Sequence, residues 1–175
     1  GNNDNSNWWR WENEPDPKTG KSRIQNGDKS GLAANHYHLY REDIARMRDE
    51  LGISSYRFSL AWSRIEPQPG EYSPEAIAHY HDVIDALLEA GITPMITLHH
   101  FTHPLWFEDL GSFEKEENLE HFFRFSEKMF AEYGSKVSHW CTHNEPGPFA
   151  TMGWGLGAFP PGVKNIRRMA HVIHN

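Results

Sequence analysis

The chain has 175 residues, with 17 Lys and Arg against 24 Asp and Glu, for a formal charge of −7. That acidic balance argues against nucleic acid or an anionic membrane as the main partner, since both call for a basic face. An aromatic fraction of 13% excludes general disorder, and a single cysteine, Cys141, excludes a disulfide framework and any Cys-built zinc site.

Residues 1–35 are polar, rich in Gly and Asn, and carry Trp8, Trp9 and Trp11, which predicts a long irregular surface loop pinned by aromatics. The opening residues have no basic region followed by an apolar one and no initial Met. The expectation is a chain that begins inside a longer protein, without a signal peptide and in the cytoplasm. Residues 41–51 place Ile44, Met47 and Leu51 at helical spacing, and Gly52 follows as a stop. A β-branched and aromatic run from Ile53 to Trp62 then predicts a strand. Ser73-Pro74 opens a second helix as N-cap and first helical residue, with Ile77, Tyr80, Ile84, Leu87 and Leu88 on its apolar face and Gly91 after it. The run ITPMITLHH predicts a second strand. A third helix starts near Asn118, with Leu119, Phe122, Phe123, Met129, Phe130 and Tyr133 on one face and Gly134 as its stop. SKVSHWCTHNE predicts a third strand, and another helix begins near Lys164. No run of 18 apolar residues is present.

One unit therefore recurs three times: amphipathic helix, glycine, strand, long loop. The alternation implies a parallel sheet with helical cover, either doubly wound or part of a (β/α)₈ barrel. Polar side chains gather after the strands, at Trp62-Ser63, His99-His100 and Asn144-Glu145. That placement favours the barrel, whose active site is assembled from several strand ends. No glycine-rich phosphate loop follows any strand, which counts against a nucleotide-binding sheet. Three strands cannot close, so the expected architecture is a partial barrel, with residues 1–175 as one partial domain.

The chemistry-bearing residues sit in those loops. Glu145 lies at a strand end between Asn144 and Pro146, and the proline biases it toward extended backbone. A carboxyl beside a carboxamide suits proton transfer next to sugar hydroxyls; on the tripeptide alone an ordinary strand-to-loop turn is the better-favoured reading. His99 and His100 should point to opposite faces, one into the barrel mouth and one into packing. With His103 and the His36/His38 pair they also admit a metal site. Arg57, in an otherwise apolar strand, should face a carboxylate, or else reach solvent at a sheet edge. Trp62 and Trp140 are expected in the core, whereas Phe101 and Trp154, in loops after strands, suit contact with a sugar ring.

Three stretches in order, Tyr56–Ile65 (YRFSLAWSRI), Thr97–Phe101 (TLHHF) and Thr142–Pro146 (THNEP), together with Gly153–Gly162 (GWGLGAFPPG), resemble glycoside hydrolase family 1, the β-glucosidase and β-galactosidase family. The resemblance runs from about Trp8 to the last residue and implies that residues 1–175 are one partial catalytic domain, holding about strands two to four of the barrel, without the first strand and the C-terminal half. It implies that Glu145 is the general acid/base, that Asn144 holds the sugar 2-hydroxyl, that His100 contacts the glycone and that Arg57 orients a nucleophilic Glu outside this chain. Phe101 stands where the family usually has Trp. The implied reaction is double displacement with retention on a β-glycoside or oligosaccharide, with no cofactor and no metal, and with the rest of the barrel as partner, covalent or as a second fragment. The 175 residues alone are then expected to be inactive. A metal-dependent barrel hydrolase and a non-catalytic sugar-binding or assembly fragment are the competing readings. The choice of sugar, 6-phosphosugars included, is not written in these residues.

Overall fold

The computed structural model of the chain describes residues 3–175. Gly1 and Asn2, which belong to the predicted N-terminal loop, lie outside the described residues. In chain order the elements are α1 (Asn7–Asn13), α2 (His36–Asp49), β1 (Ser55–Ser59), α3 (Trp62–Ile65), α4 (Pro74–Glu89), β2 (Thr93–His99), α5 (Leu105–Leu110), α6 (Leu119–Tyr133), β3 (His139–His143), α7 (Pro146–Ala150), a π-helical turn at Thr151–Gly155, and α8 (Ile166–His174). Three short 3₁₀ turns complete the set. The strands form one parallel sheet in the order β1-β2-β3. Its register pairs Ser59 with Thr97, Thr97 with Cys141 and His99 with His143. Strand, loop, helix, strand is the repeat of a partial (β/α)₈ barrel.

The helices form where the apolar spacing predicts them. Ser73 caps α4 by accepting from the Ala76 N–H, Pro74 takes the first position, and Ala76, Tyr80, Val83, Ile84 and Leu87 are buried. In α6 the buried stripe is Phe122, Phe125, Ser126, Met129 and Tyr133, whereas Phe123 and Phe130, expected on that face, are 55% and 41% exposed. Each lies one residue off the 3.6-residue stripe, so the helix turns both rings outward. Leu51 and Leu88, also expected to be apolar contacts, are exposed as well. Gly52 and Gly91 end their helices with positive φ, 60° and 72°, but Gly134 stays right-handed at φ −61° and ends α6 without the left-handed turn.

The core sits between sheet and helices around Trp62, which is fully buried. Its ring stacks on Phe125 at 4.9 Å between centroids and packs against Phe107 at 4.7 Å. Burying an indole of this size is worth on the order of 4 kcal/mol. Trp62 does more than fill space, because its Nε1–H donates to Glu66 Oε2 at 2.7 Å. Glu66 is fully buried as well, and its other oxygen accepts from the Gly70 N–H at 2.7 Å and pairs with Arg124. A carboxylate in a core persists only when satisfied in this way. Trp140, also expected in the core, is only half-buried: it lies on an edge strand, against Phe130.

The N-terminal segment departs from the predicted irregular loop. Residues 7–13 form α1, capped by Ser6, whose Oγ accepts from the Trp9 N–H at 3.2 Å. Seven residues are too few to show a helical period in sequence. Trp11 does pin the segment, buried with Arg23 stacked 4.6 Å above its ring. Asparagine contributes as well: Asn5 Nδ2 donates to the carbonyls of Ser63 and Pro67, both at 3.1 Å. Among the described residues no helix is long and apolar enough to cross a membrane.

Candidate active site

Arg57, His100, Asn144 and Glu145 lie within or directly after the three strands. Arg57, in β1, donates from Nη1 to Asn144 Oδ1 at 3.0 Å, directly after β3. The same nitrogen reaches Thr97 Oγ1 in β2 at 3.4 Å and lies 4.0 Å from Cys141 Sγ in β3. One guanidinium thus bridges all three strands on a single face of the sheet. Arg57 is largely exposed, and among the described residues it has no carboxylate within ion-pair distance. Of the two sequence expectations, the solvent-reaching one describes its exposure, but the side chain is anchored and not free.

His99, the last residue of β2, and His100, just after it, take different environments. His100 is half-buried and hydrogen-bonds Ser59 through Nδ1 at 2.9 Å. Burial, reinforced by the charge of Arg57, lowers its pKa, while Glu145 acts in the opposite sense. His99 is 1% exposed, edge-on to Phe113 and Phe149 at 4.9 and 5.1 Å. Its Nε2 lies 3.3 Å from His103 Nδ1, and His103 Nε2 lies 2.7 Å from Glu108 Oε2. A carboxylate at Glu108 only accepts, so His103 donates through Nε2–H and its Nδ1 is left to accept from His99 Nε2–H. Burial first, then the neighbouring His103, His143 and His100, holds the His99 pKa well below its ordinary value.

Glu145 is exposed and sits at the N-cap position of α7. Its backbone is left-handed, φ 44° and ψ 63°, not extended as Pro146 led us to expect. The chain must turn from strand to helix within one residue. The Asn144 N–H is held by the His99 carbonyl at 2.9 Å, and the Glu145 carbonyl by the Phe149 N–H at 3.0 Å. These two bonds fix the peptide on either side and force the strained turn between them. Non-glycine residues occupy this region rarely, and such strain gathers at functional sites.

Phe101 also has positive φ, 68°, and lies half-buried beside His100 with ring centroids 5.2 Å apart, its ring packed against Phe149 and Phe159 at 6.0 and 5.8 Å. Trp154 is a correction. It is fully buried, edge-on to Phe149 at 5.3 Å, and its Nε1–H donates to Glu114 Oε2 at 2.8 Å. The π-helical turn rotates it inward, so it offers no face to a sugar and instead supports the loop from beneath. The metal set does not assemble either. His36 bonds Asp43 at 2.7 Å, His103 bonds Glu108, and His38 packs edge-on to Tyr37. Among the described residues no three His, Cys, Asp or Glu side chains are grouped as a metal site. Ser59, the His100 partner, went unnoticed in sequence, although it lies two residues from Arg57 and hence on the same strand face. A cavity of about 600 Å³ opens next to β1, lined among others by Trp8, Tyr37, Arg57, Ser59 and Thr102.

Comparison with known proteins agrees with this geometry. The sequence profile of glycosyl hydrolase family 1 matches residues 4–175. Beta-glucosidase A of Acetivibrio thermocellus is 38% identical over 169 residues, which cover 96% of this chain and 36% of that protein. The AHE enzyme from Alicyclobacillus herbarius superposes with a TM-score of 0.89 at 34% identity, over 97% of this chain and 36% of the other. A family 1 β-glucosidase from Thermotoga maritima, in complex with isofagomine lactam, gives a TM-score of 0.89 at 32% identity, over 97% and 37%. The chain thus spans little more than a third of these relatives. A profile match over almost every residue, with all three strand-end motifs inside it, means that the chain belongs to glycosyl hydrolase family 1.

Proposed function

We propose that residues 1–175 are one partial catalytic domain, carrying the acid/base half of the site of a retaining β-glycosidase. In this reading the nucleophilic carboxylate comes from a part of the barrel outside these residues, covalently linked or as a second fragment. The observation that supports it is the Arg57–Asn144 hydrogen bond of 3.0 Å, which reaches from β1 across β2 to the residue next to Glu145. Glu145 donates its proton to the glycosidic oxygen as the leaving group departs, and the glycosyl-enzyme forms on the nucleophile. Glu145, now a carboxylate, takes a proton from water, which attacks the anomeric carbon and restores the starting configuration. Retaining geometry sets the two carboxyl groups about 5–5.5 Å apart, and Arg57, its other donors free toward the open side, orients the partner. Asn144 presents a donor to the sugar 2-hydroxyl, and His100, kept neutral by its lowered pKa, exchanges a hydrogen bond with the glycone. The substrate class is a β-glucoside or β-galactoside. The setting we assign is cytoplasmic, where reducing conditions protect the free Cys141 beside Arg57.

The test is made in the complete enzyme that contains this segment. Asn144→Ala should lower kcat/KM on ordinary β-glucosides by about 10²-fold, because contacts to the 2-hydroxyl strengthen in the transition state. On 2-deoxyglucosides the same substitution should change little. Equal losses on both substrates would remove Asn144 from the sugar contact and with it the geometry on which this function rests.

A further inference from the structure

We propose that Asn7 is a positioning residue that sets the place of His100 by clamping the backbone after β2. The proposal rests, for its meaning, on the reading of His100 as a glycone contact.

Asn7 is 2% exposed, which is unusual for an asparagine in a seven-residue surface helix. Its carboxamide is spent on one loop. Nδ2 donates to the Phe101 carbonyl at 3.2 Å, and Oδ1 accepts from the His103 N–H at 3.1 Å. Its own backbone N–H donates to the His103 carbonyl at 3.1 Å. The Trp8 indole N–H adds a second donor to the Phe101 carbonyl at 3.2 Å. Four hydrogen bonds from two consecutive residues thus fall on residues 101–103. Within that stretch Phe101 is left-handed, φ 68°, a conformation that a phenylalanine keeps only when its neighbours hold it. The peptide bond between His100 and Phe101 turns with that φ, so whatever holds Phe101 also aims the His100 imidazole at Ser59 and the cleft.

The residue type is specific to the task. One carboxamide offers a donor and an acceptor at once. Asp in its place keeps the acceptor and loses the donor, leaving a carboxylate opposite the Phe101 carbonyl. Among the described residues the Asn13 carboxamide, at the other end of α1, bonds only within the helix and to the Lys29 ammonium, so it serves as the control.

The experiment is an NMR measurement of the His100 ring nitrogens and the Phe101 amide, selectively labelled, in the complete enzyme that contains this segment. It compares native protein with Asn7→Asp, Trp8→Phe and Asn13→Ala, with folding checked by circular dichroism. Asn7→Asp should shift the His100 ring and Phe101 amide signals, Trp8→Phe should shift them less, and Asn13→Ala should leave them in place. A folded Asn7→Asp chain with His100 unmoved overturns the proposal. If Asn7→Asp does not fold, Trp8→Phe decides: unmoved His100 and Phe101 signals overturn it in the same way. In the complete enzyme, Asn7→Asp should lower kcat/KM by roughly tenfold, the worth of one lost hydrogen bond to the glycone. An enzyme inactive on every glycoside would refute the functional reading while the ring shifts still stood. Ring shifts without any change in kcat/KM would instead deny the link from Asn7 to glycone binding and so overturn the proposal.

Discussion

Adjacent in sequence and identical in chemistry, His99 and His100 mark two different regions of the molecule. On the His99 side the sheet is closed: rings from Phe113, Phe149 and Phe122 surround an imidazole that is 1% exposed, and its polar atoms are used in a chain through His103 to Glu108. On the His100 side the sheet is open: Arg57 and Glu145 are exposed, and their contacts are polar, few and directed. The closed region draws its stability from area buried, the open one only from geometry. A site must be free to exchange protein contacts for substrate contacts, and the open side is where exchange costs little.

The largest effect should come from the closed side. Trp62→Ala removes an indole in contact with Phe107 and Phe125 and leaves Glu66 short of a donor in the core. Loss of the ring alone is worth about 3–5 kcal/mol, and the buried carboxylate adds to it. Urea unfolding should show a chain barely folded at room temperature. Arg57→Ala on the open side should change stability by less than about 1 kcal/mol. Similar losses for the two would erase the distinction between the regions.

Next in size is a dependence on pH to which the closed side contributes His99 and His143, alongside His79, pushed down to about 4 by burial, and the less buried His100. Burial lowers the pKa of both His99 and His143 in the folded chain. In the unfolded chain each titrates near the ordinary value of about 6.5. As pH falls below that value the unfolded state takes up protons that the folded state refuses, so stability is complete above about pH 6.5 and declines on acidification. Urea midpoints measured from pH 7 to pH 5 should fall steadily, and His99→Phe should flatten the decline even though it leaves His103 without its donor. An unchanged slope in that variant would mean that His99 is not the group being protected.

Much of this was legible in the chain. The long helices α2, α4 and α6 and all three strands follow from apolar period and glycine stops, because each buries a stripe large enough to dominate its own sequence. The short helices α1, α3, α5 and α7 do not show, since one or two turns carry no period. Trp62 illustrates the difficulty: it continues the apolar run of β1 but begins α3, and only packing against α6 decides. Of the candidate site, Arg57, His100, Asn144 and Glu145 stand out by residue type within or just after the strands, and the Arg57–Asn144 hydrogen bond links two of them. Trp154 was misread because a loop tryptophan looks alike whether it faces a ligand or the core; Glu114, 40 residues away, decides by accepting its N–H. The strain at Glu145 was also hidden, because the rule for a residue before proline describes the local preference and not the two hydrogen bonds that override it.

A smaller effect sharpens the open side. Ser59→Ala removes the partner of His100 Nδ1 and should cost about 1 kcal/mol or less, since the ring is half exposed and water replaces the hydroxyl. The His100 ring signals should move in this variant while those of His99 stay, and movement of both would mean that the two sides are not independent.

The central claim is that Glu145 is the acid/base of a glycosidase site, and its most direct test is azide rescue in the complete enzyme. Glu145→Ala should nearly abolish turnover of alkyl β-glycosides, whose leaving group needs a proton, a contribution of about 10²–10⁴-fold. A dinitrophenyl glycoside leaves unaided, so its glycosyl-enzyme should form and then accumulate, because water has lost its base. Azide needs no base and should restore turnover, yielding a β-glycosyl azide. Equal losses on both substrates, with no effect of azide in a folded variant, would contradict the account.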